Sequence, residues 1–107
     1  MNIDDLRAIL MKEKIKQQAC LINPRPLVEG ALCVNKQADG SWVITLNERG
    51  EYLIHQSFQS ESEACRFFLK HVLSDPTYRN DFQQSDLLYW ENWEKEKKHL
   101  LGKYDLK

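Results

Sequence analysis

The sequence predicts an α+β domain with an N-terminal helix, a three-stranded antiparallel meander, and two or three C-terminal helices packed on one sheet face. Three observations support this prediction. Residues 41–58 alternate between apolar and polar side chains across turn signals, as antiparallel strands with one buried face do. Residues 60–76 combine a helix start, an apolar face and a helix stop. Apolar residues at helical spacing near both ends of the chain predict further helices.

The segment from Phe58 to Pro76 is predicted to contain the helix against which the sheet packs. Ser60 and Glu63 form a capping-box pattern, in which each side chain bonds a backbone N–H at the helix start. Asp75 and Pro76 end the helix, because proline lacks an N–H and disfavours helical geometry in the residue before it. The apolar face consists of Ala64, Phe67, Phe68 and Val72, with Leu69 and Leu73 as further candidates.

Three strands are predicted before this helix, over residues 27–35, 41–47 and 51–58. Asp39-Gly40 marks the first hairpin turn, since glycine accepts a positive φ angle. Residues 47–50 form the second turn. In the middle strand, alternation assigns one face to Trp42, Ile44 and Leu46. In the last strand it assigns one face to Tyr52, Ile54, Gln56 and Phe58.

Helices are predicted at both ends of the chain. The first covers residues 3–18, a short helical turn lies within residues 77–84, and the last helix covers residues 85–101. Lys12, Lys14 and Lys16 cluster late in the first helix, where cations oppose the negative end of the helix dipole. A solvated helix end is the favoured interpretation of these lysines, and an anion site is the alternative.

Composition restricts the class of function. Residues 1–107 are expected to form one domain with a modest core. The chain has 15 basic and 16 acidic side chains, and its net charge of −1 does not favour a general nucleic-acid binder. No apolar run reaches the roughly 18 residues of a membrane helix, and the acidic N-terminus does not resemble a signal peptide. We therefore expect a cytoplasmic protein that binds neither nucleic acid nor a membrane directly.

No set of residues has the spacing of a catalytic or metal site. Cys20, Cys33 and Cys65 lie far apart, which argues against a disulfide framework and a zinc site and favours reduced thiols. Each histidine is alone in its predicted element, and His55 is predicted to face away from the core. We predict no catalytic residue, metal or cofactor. An enzyme based on Cys65 or a histidine is the alternative.

Residues 75–96 combine acidic and aromatic side chains. Six acidic and two basic residues give an acidic excess of four, and five large aromatic residues lie among them. A solvated helix whose rings complete the core would explain most of them, but one such segment does not easily bury five rings. Negative charge steers association with a basic partner, and aromatic anchors supply affinity. The predicted partner contacts are Asp81, Asp86, Tyr89, Glu91, Trp93 and Glu94.

Residues 40–79 carry four short patterns. They are Gly40-x-Trp42, Glu48-Arg49-Gly50, the run from Phe58 through Ser60, Glu61, Glu63, Ala64 and Cys65 to Phe68-Leu69, and Asp75-Pro76-Thr77-x-Arg79. This set resembles a family of small bacterial immunity proteins, made by genes beside polymorphic toxins that include those of contact-dependent growth inhibition. The resemblance implies a non-catalytic protein that binds a toxin, and it covers a little over a third of the chain.

The resemblance and the acidic-aromatic segment together predict an immunity protein that binds and neutralises a cognate C-terminal toxin domain. A basic nuclease is the expected toxin, because a nuclease site must attract phosphates. The turn of residues 48–51 is a second candidate contact, and formation of the hairpin turn itself is the favoured interpretation of its residues. A regulatory or scaffold module that binds another cellular protein is the alternative function. Three tryptophans and an exposed edge strand leave a homodimer open.

Overall fold

The structure, a computed structural model, describes residues 1–80, 82 and 87–106, the last range without the side chains of residues 87–91. Within these residues the fold is α+β, as predicted. The helices are α1 (Ile3–Lys12), α2 (Glu61–Leu73) and α3 (Leu87–Lys103), and a 3₁₀ turn spans Pro76–Tyr78. The strands are β1 (Cys20–Ile22), β2 (Leu32–Lys36), β3 (Trp42–Glu48) and β4 (Glu51–Phe58).

The sheet has four strands in the order β1-β2-β3-β4. The predicted antiparallel meander is confirmed as β2, β3 and β4. The prediction of a three-stranded, purely antiparallel sheet is wrong, because β1 adds a fourth strand that runs parallel to β2 at the edge. With only three residues, β1 is too short to show an alternating pattern in the sequence.

The first helix ends earlier than predicted. The α1 helix begins at an Asn2 capping box and stops at Lys12, and not at residue 18. Lys14 then adopts a φ angle of 57°, which a right-handed α-helix does not accommodate. Ile15 follows in an isolated antiparallel bridge with Arg79. The chain leaves the helix because its backbone bonds a distant segment, and this allows residues 20–22 to reach the sheet.

The α2 helix lies at the centre of the core. Its buried side chains include all of the predicted apolar face except Phe67, which is partly buried. They pack with one face of the sheet, and α1 and α3 complete the cluster through Leu6, Trp93 and Leu100. The buried sheet residues of this cluster are Cys20, Leu32, Val34, Trp42 and Ile44. The helices thus cover one face of the sheet, which matches the predicted layer order.

Replacing Ser60 with alanine is expected to lower the free energy of unfolding by about 1 kcal/mol. The Ser60 hydroxyl accepts a hydrogen bond from the Glu63 N–H at 3.0 Å, which satisfies one of the free donors at the start of α2. Urea unfolding of the variant measures the loss. Ser57→Ala, at an exposed strand position, is the matched control. If Ser60→Ala and Ser57→Ala lowered the free energy of unfolding equally, a capping role for Ser60 would be contradicted.

Candidate protein-binding surface

Only two of the predicted contact side chains are described by the structure. The other four lie outside the description: Asp81, Asp86, Tyr89 and Glu91. Trp93 is only 6% exposed and belongs to the hydrophobic core, so its ring is not a free surface anchor. Glu94, the next residue in α3, is exposed. The backbone places Tyr89, Glu91 and Glu94 on the same helix, α3.

The turn between β3 and β4 provides the second predicted contact site. Glu48 and Glu51 are the last register pair of the two strands, and both are exposed. The two residues between them, Arg49 and Gly50, have φ angles of 53° and 80°. Two successive positive φ angles are the signature of a type I′ turn, which matches the twist of the flanking strands. The two carboxylates are therefore held on a short, regular hairpin end.

A distant loop is fastened to this hairpin end by backbone bonds. The Arg49 N–H donates a hydrogen bond to the Glu29 carboxylate. The Gly30 N–H donates to the Asn47 carbonyl at 2.7 Å. These bonds place Val28 and Glu29 beside the turn, although some 20 residues separate them in sequence. Glu29 is exposed, so it adds a third carboxylate to the hairpin end.

A β-bulge turns apolar side chains toward solvent at the same end of the sheet. The pairing of β3 with β4 shifts between Leu46 and Asn47, so that Asn47 pairs with Tyr52 and Leu46 pairs with Ile54. Cross-strand partners share a face, so Tyr52 and Ile54 lie on opposite faces of the sheet. The prediction that these two residues share a face is therefore wrong. The Tyr52 ring instead contacts His55 edge-on, with the ring centroids 5.1 Å apart.

We define the hairpin-end surface as Val28, Glu29, Glu48, Glu51, Tyr52 and Leu53. Its three apolar members are exposed by 46% (Val28), 52% (Tyr52) and 59% (Leu53). The other three members are exposed carboxylates, with Arg49 as the neighbouring cation. The surface therefore combines exposed apolar side chains with an excess of negative charge at one end of the sheet, with the Glu48–Glu51 pair and the Asn47–Tyr52 pair on opposite faces. Exposed apolar residues next to polar ones are typical of protein interaction sites.

No protein-family model, curated protein or solved structure matches this chain. The resemblance to immunity proteins therefore stays a hypothesis carried by the patterns in residues 40–79. A function has to be argued from the chemistry and geometry of the surface residues, since a fold class alone does not specify one.

The described side chains do not form a nucleophile or metal site. Burial raises the pKa of the Cys20 thiol to about 12 and that of the Cys65 thiol to about 11, so both are protonated at neutral pH. Burial lowers the pKa of His71, whose ring contacts Tyr78 at 5.8 Å between centroids. His55 is exposed, which confirms its predicted orientation. Among the described residues, no group of three His, Cys, Asp or Glu side chains could hold a metal ion.

The same part of the chain contains no helix long and apolar enough to cross a membrane. The sequence identified the hairpin turn as a candidate contact but not Val28, Glu29 or Leu53. The Asn-Glu-Arg-Gly turn signal was visible in the sequence. The docking of the loop onto that turn depends on long-range backbone bonds, which no local pattern encodes.

Proposed function

We propose that this protein is a non-catalytic immunity protein that acts in the cytoplasm and neutralises a toxin domain by binding it. The toxin is a basic nuclease domain delivered by contact-dependent growth inhibition. The hairpin-end surface is the observation that carries the proposal, because it joins exposed apolar side chains to an excess of carboxylates at one end of the sheet. This surface replaces the acidic-aromatic segment of residues 75–96 as the main proposed contact.

Charge complementarity explains why a nuclease suits such a surface. A nuclease must concentrate positive charge around its substrate site to attract phosphates. Glu29, Glu48 and Glu51 would steer that positive charge toward the hairpin end and raise the association rate. Tyr52 and Leu53 would then supply the apolar area on which most of the affinity depends. Occupation of a nuclease by this surface would exclude nucleic acid without any chemistry by the immunity protein.

The test is co-expression with the candidate toxin domain encoded immediately upstream of this protein's gene, followed by co-purification and a growth assay. We expect a stable complex and restored growth. The double variant E48K/E51K should bind at least roughly tenfold more weakly, mainly through slower association, because it reverses two steering charges. Leu53→Ser should weaken binding mainly through faster dissociation.

Glu63→Lys is the matched control, since Glu63 is an exposed carboxylate on α2 outside the hairpin-end surface. It should bind and protect as the wild type does, and thermal unfolding should show that all variants are folded. A complex that E48K/E51K leaves intact would contradict the proposed surface. The absence of both complex and protection would contradict the immunity function and favour a regulatory module that binds another cellular protein.

A further inference from the structure

A groove of about 470 Å³ lies between α1 and β1, at the sheet edge opposite β4. This volume is within the range of roughly 300–1,000 Å³ that is typical of ligand sites. Six of its eleven lining residues are apolar, and Met11 on its wall is 73% exposed. The apolar lining residues are Leu10, Met11, Ile15, Cys20, Leu21 and Ile22.

The charged side chains of the groove are all positive. Arg7, Lys14 and Lys16 line it, and its described lining includes no carboxylate. Two backbone bonds fix the segment that carries the lysines. The Asn80 N–H donates to the Lys14 carbonyl at 2.9 Å, and the Lys16 N–H donates to the Tyr78 carbonyl at 2.8 Å. Two of the three lysines of the predicted helix end, Lys14 and Lys16, therefore lie on a fixed, non-helical segment that lines this groove, whereas Lys12 stays in α1.

The outer edge of β1 also lies along this groove. The Ala19 carbonyl accepts from the Leu32 N–H, and the Asn23 N–H donates to the Val34 carbonyl. Since backbone groups alternate in direction along a strand, Ala19, Leu21 and Asn23 point toward β2, while Cys20 and Ile22 point away from the sheet. Among the described residues, no hydrogen bond satisfies the outward backbone groups of Cys20 and Ile22.

We propose that this groove binds an extended, acidic segment of a partner protein, which pairs with β1 as an additional strand. An extended peptide supplies the backbone donors and acceptors that the outward groups of Cys20 and Ile22 require. Its side chains alternate in direction, so carboxylates can meet the three cations while aliphatic side chains enter the groove. A small organic anion would leave the strand edge unpaired. This site is separate from the hairpin-end surface, and it holds whether or not the partner is a toxin.

The test uses a short synthetic peptide of alternating glutamate and valine, titrated into the full-length ¹⁵N-labelled protein. We expect the largest amide shift changes at Cys20 and Ile22 and smaller ones at Leu21, whose N–H points toward β2. A peptide of alternating lysine and valine should not bind. A glutamate–valine peptide with N-methylated alternate amides should bind at least roughly tenfold more weakly, since it cannot complete the strand pairing. Equal affinity of the methylated peptide would overturn the proposal, because charge alone would then explain binding.

Variants of the cations test the electrostatic half of the proposal. The double variant R7Q/K14Q should bind the acidic peptide roughly tenfold more weakly, and the loss should shrink at high salt. Lys70→Gln, at an exposed lysine of α2 outside the groove, is the control and should bind normally. Unchanged binding by R7Q/K14Q would overturn the site.

Discussion

Replacing Phe68 with alanine is expected to lower the free energy of unfolding by about 3–5 kcal/mol, a large part of the roughly 5–15 kcal/mol that stabilises a domain. Phe68 is 0% exposed and is the largest of the fully buried described side chains. It lies on the face of α2 that packs in the central cluster. Removing the ring loses buried apolar area and leaves a cavity that the surrounding helices and strands can only partly fill. Urea unfolding followed by tryptophan fluorescence measures the loss.

The neighbouring Phe67 offers a matched control. It is only partly buried, and its ring contacts Phe58 with centroids 5.2 Å apart, so Phe67→Ala leaves a site open to water and should cost clearly less. If Phe68→Ala does not fold, Phe68→Leu should still unfold at a lower urea concentration than the wild type. Equal losses for the two alanine variants would contradict the central place of Phe68 in the core.

The parts of the fold that were predicted correctly are those that local chemistry determines. Ser60 caps α2, and Pro76 begins the 3₁₀ turn that follows it, so both boundaries could be read from a few adjacent residues. Glycine at positions 40 and 50 likewise predicted the two hairpin turns, and both residues adopt positive φ angles there. The end of α1 and the existence of β1 depend on pairing with residues far away in the chain. Sequence patterns cannot show such pairing when the paired segment is as short as β1.

The candidate surface was only partly predictable for the same reason. Glu48 and Glu51 were found because a turn signal predicts exposure. Tyr52 was assigned to the wrong face, because a β-bulge after Leu46 shifts the alternation by one residue without any glycine or proline to mark it. Trp93 was predicted as a contact from its aromatic neighbours, whereas its position on α3 directs it into the core. Charge pattern alone does not distinguish a buried ring from an exposed one.

A buried carboxylate joins the two ends of the chain. Glu13 follows α1 and is 7% exposed. Its Oε2 atom accepts a hydrogen bond from Lys103 Nζ at 3.2 Å and another from the Tyr104 hydroxyl. Burial favours the neutral form of Glu13, but these two bonds and the charges of Lys103 and Arg79 outweigh it. The pKa of Glu13 therefore lies below its ordinary value of 4.5.

Replacing Glu13 with glutamine is expected to lower the free energy of unfolding by about 1–3 kcal/mol at neutral pH, because the charged acceptor of the Lys103 and Tyr104 hydrogen bonds is replaced by a neutral one. A lowered pKa in the folded state means that this stabilisation is present above pH 4.5 and is lost as the pH falls through the folded value. The difference in unfolding free energy between the wild type and Glu13→Gln should therefore narrow below pH 4.5. Urea unfolding from about pH 7 down to about pH 3 measures this difference.

Tyr104→Phe removes one of the two donors to Glu13 and should reproduce part of the loss in unfolding free energy. The double variant with Glu13→Gln and Tyr104→Phe should lose less than the sum of the two single losses, because the two side chains contact each other. Lys103→Met should lower the free energy of unfolding by less than Glu13→Gln does, since the Lys103 side chain is 38% exposed and its charge is screened by water. If the difference in unfolding free energy between the wild type and Glu13→Gln stays constant from about pH 7 to about pH 3, Glu13 acts through its shape and not through its charge.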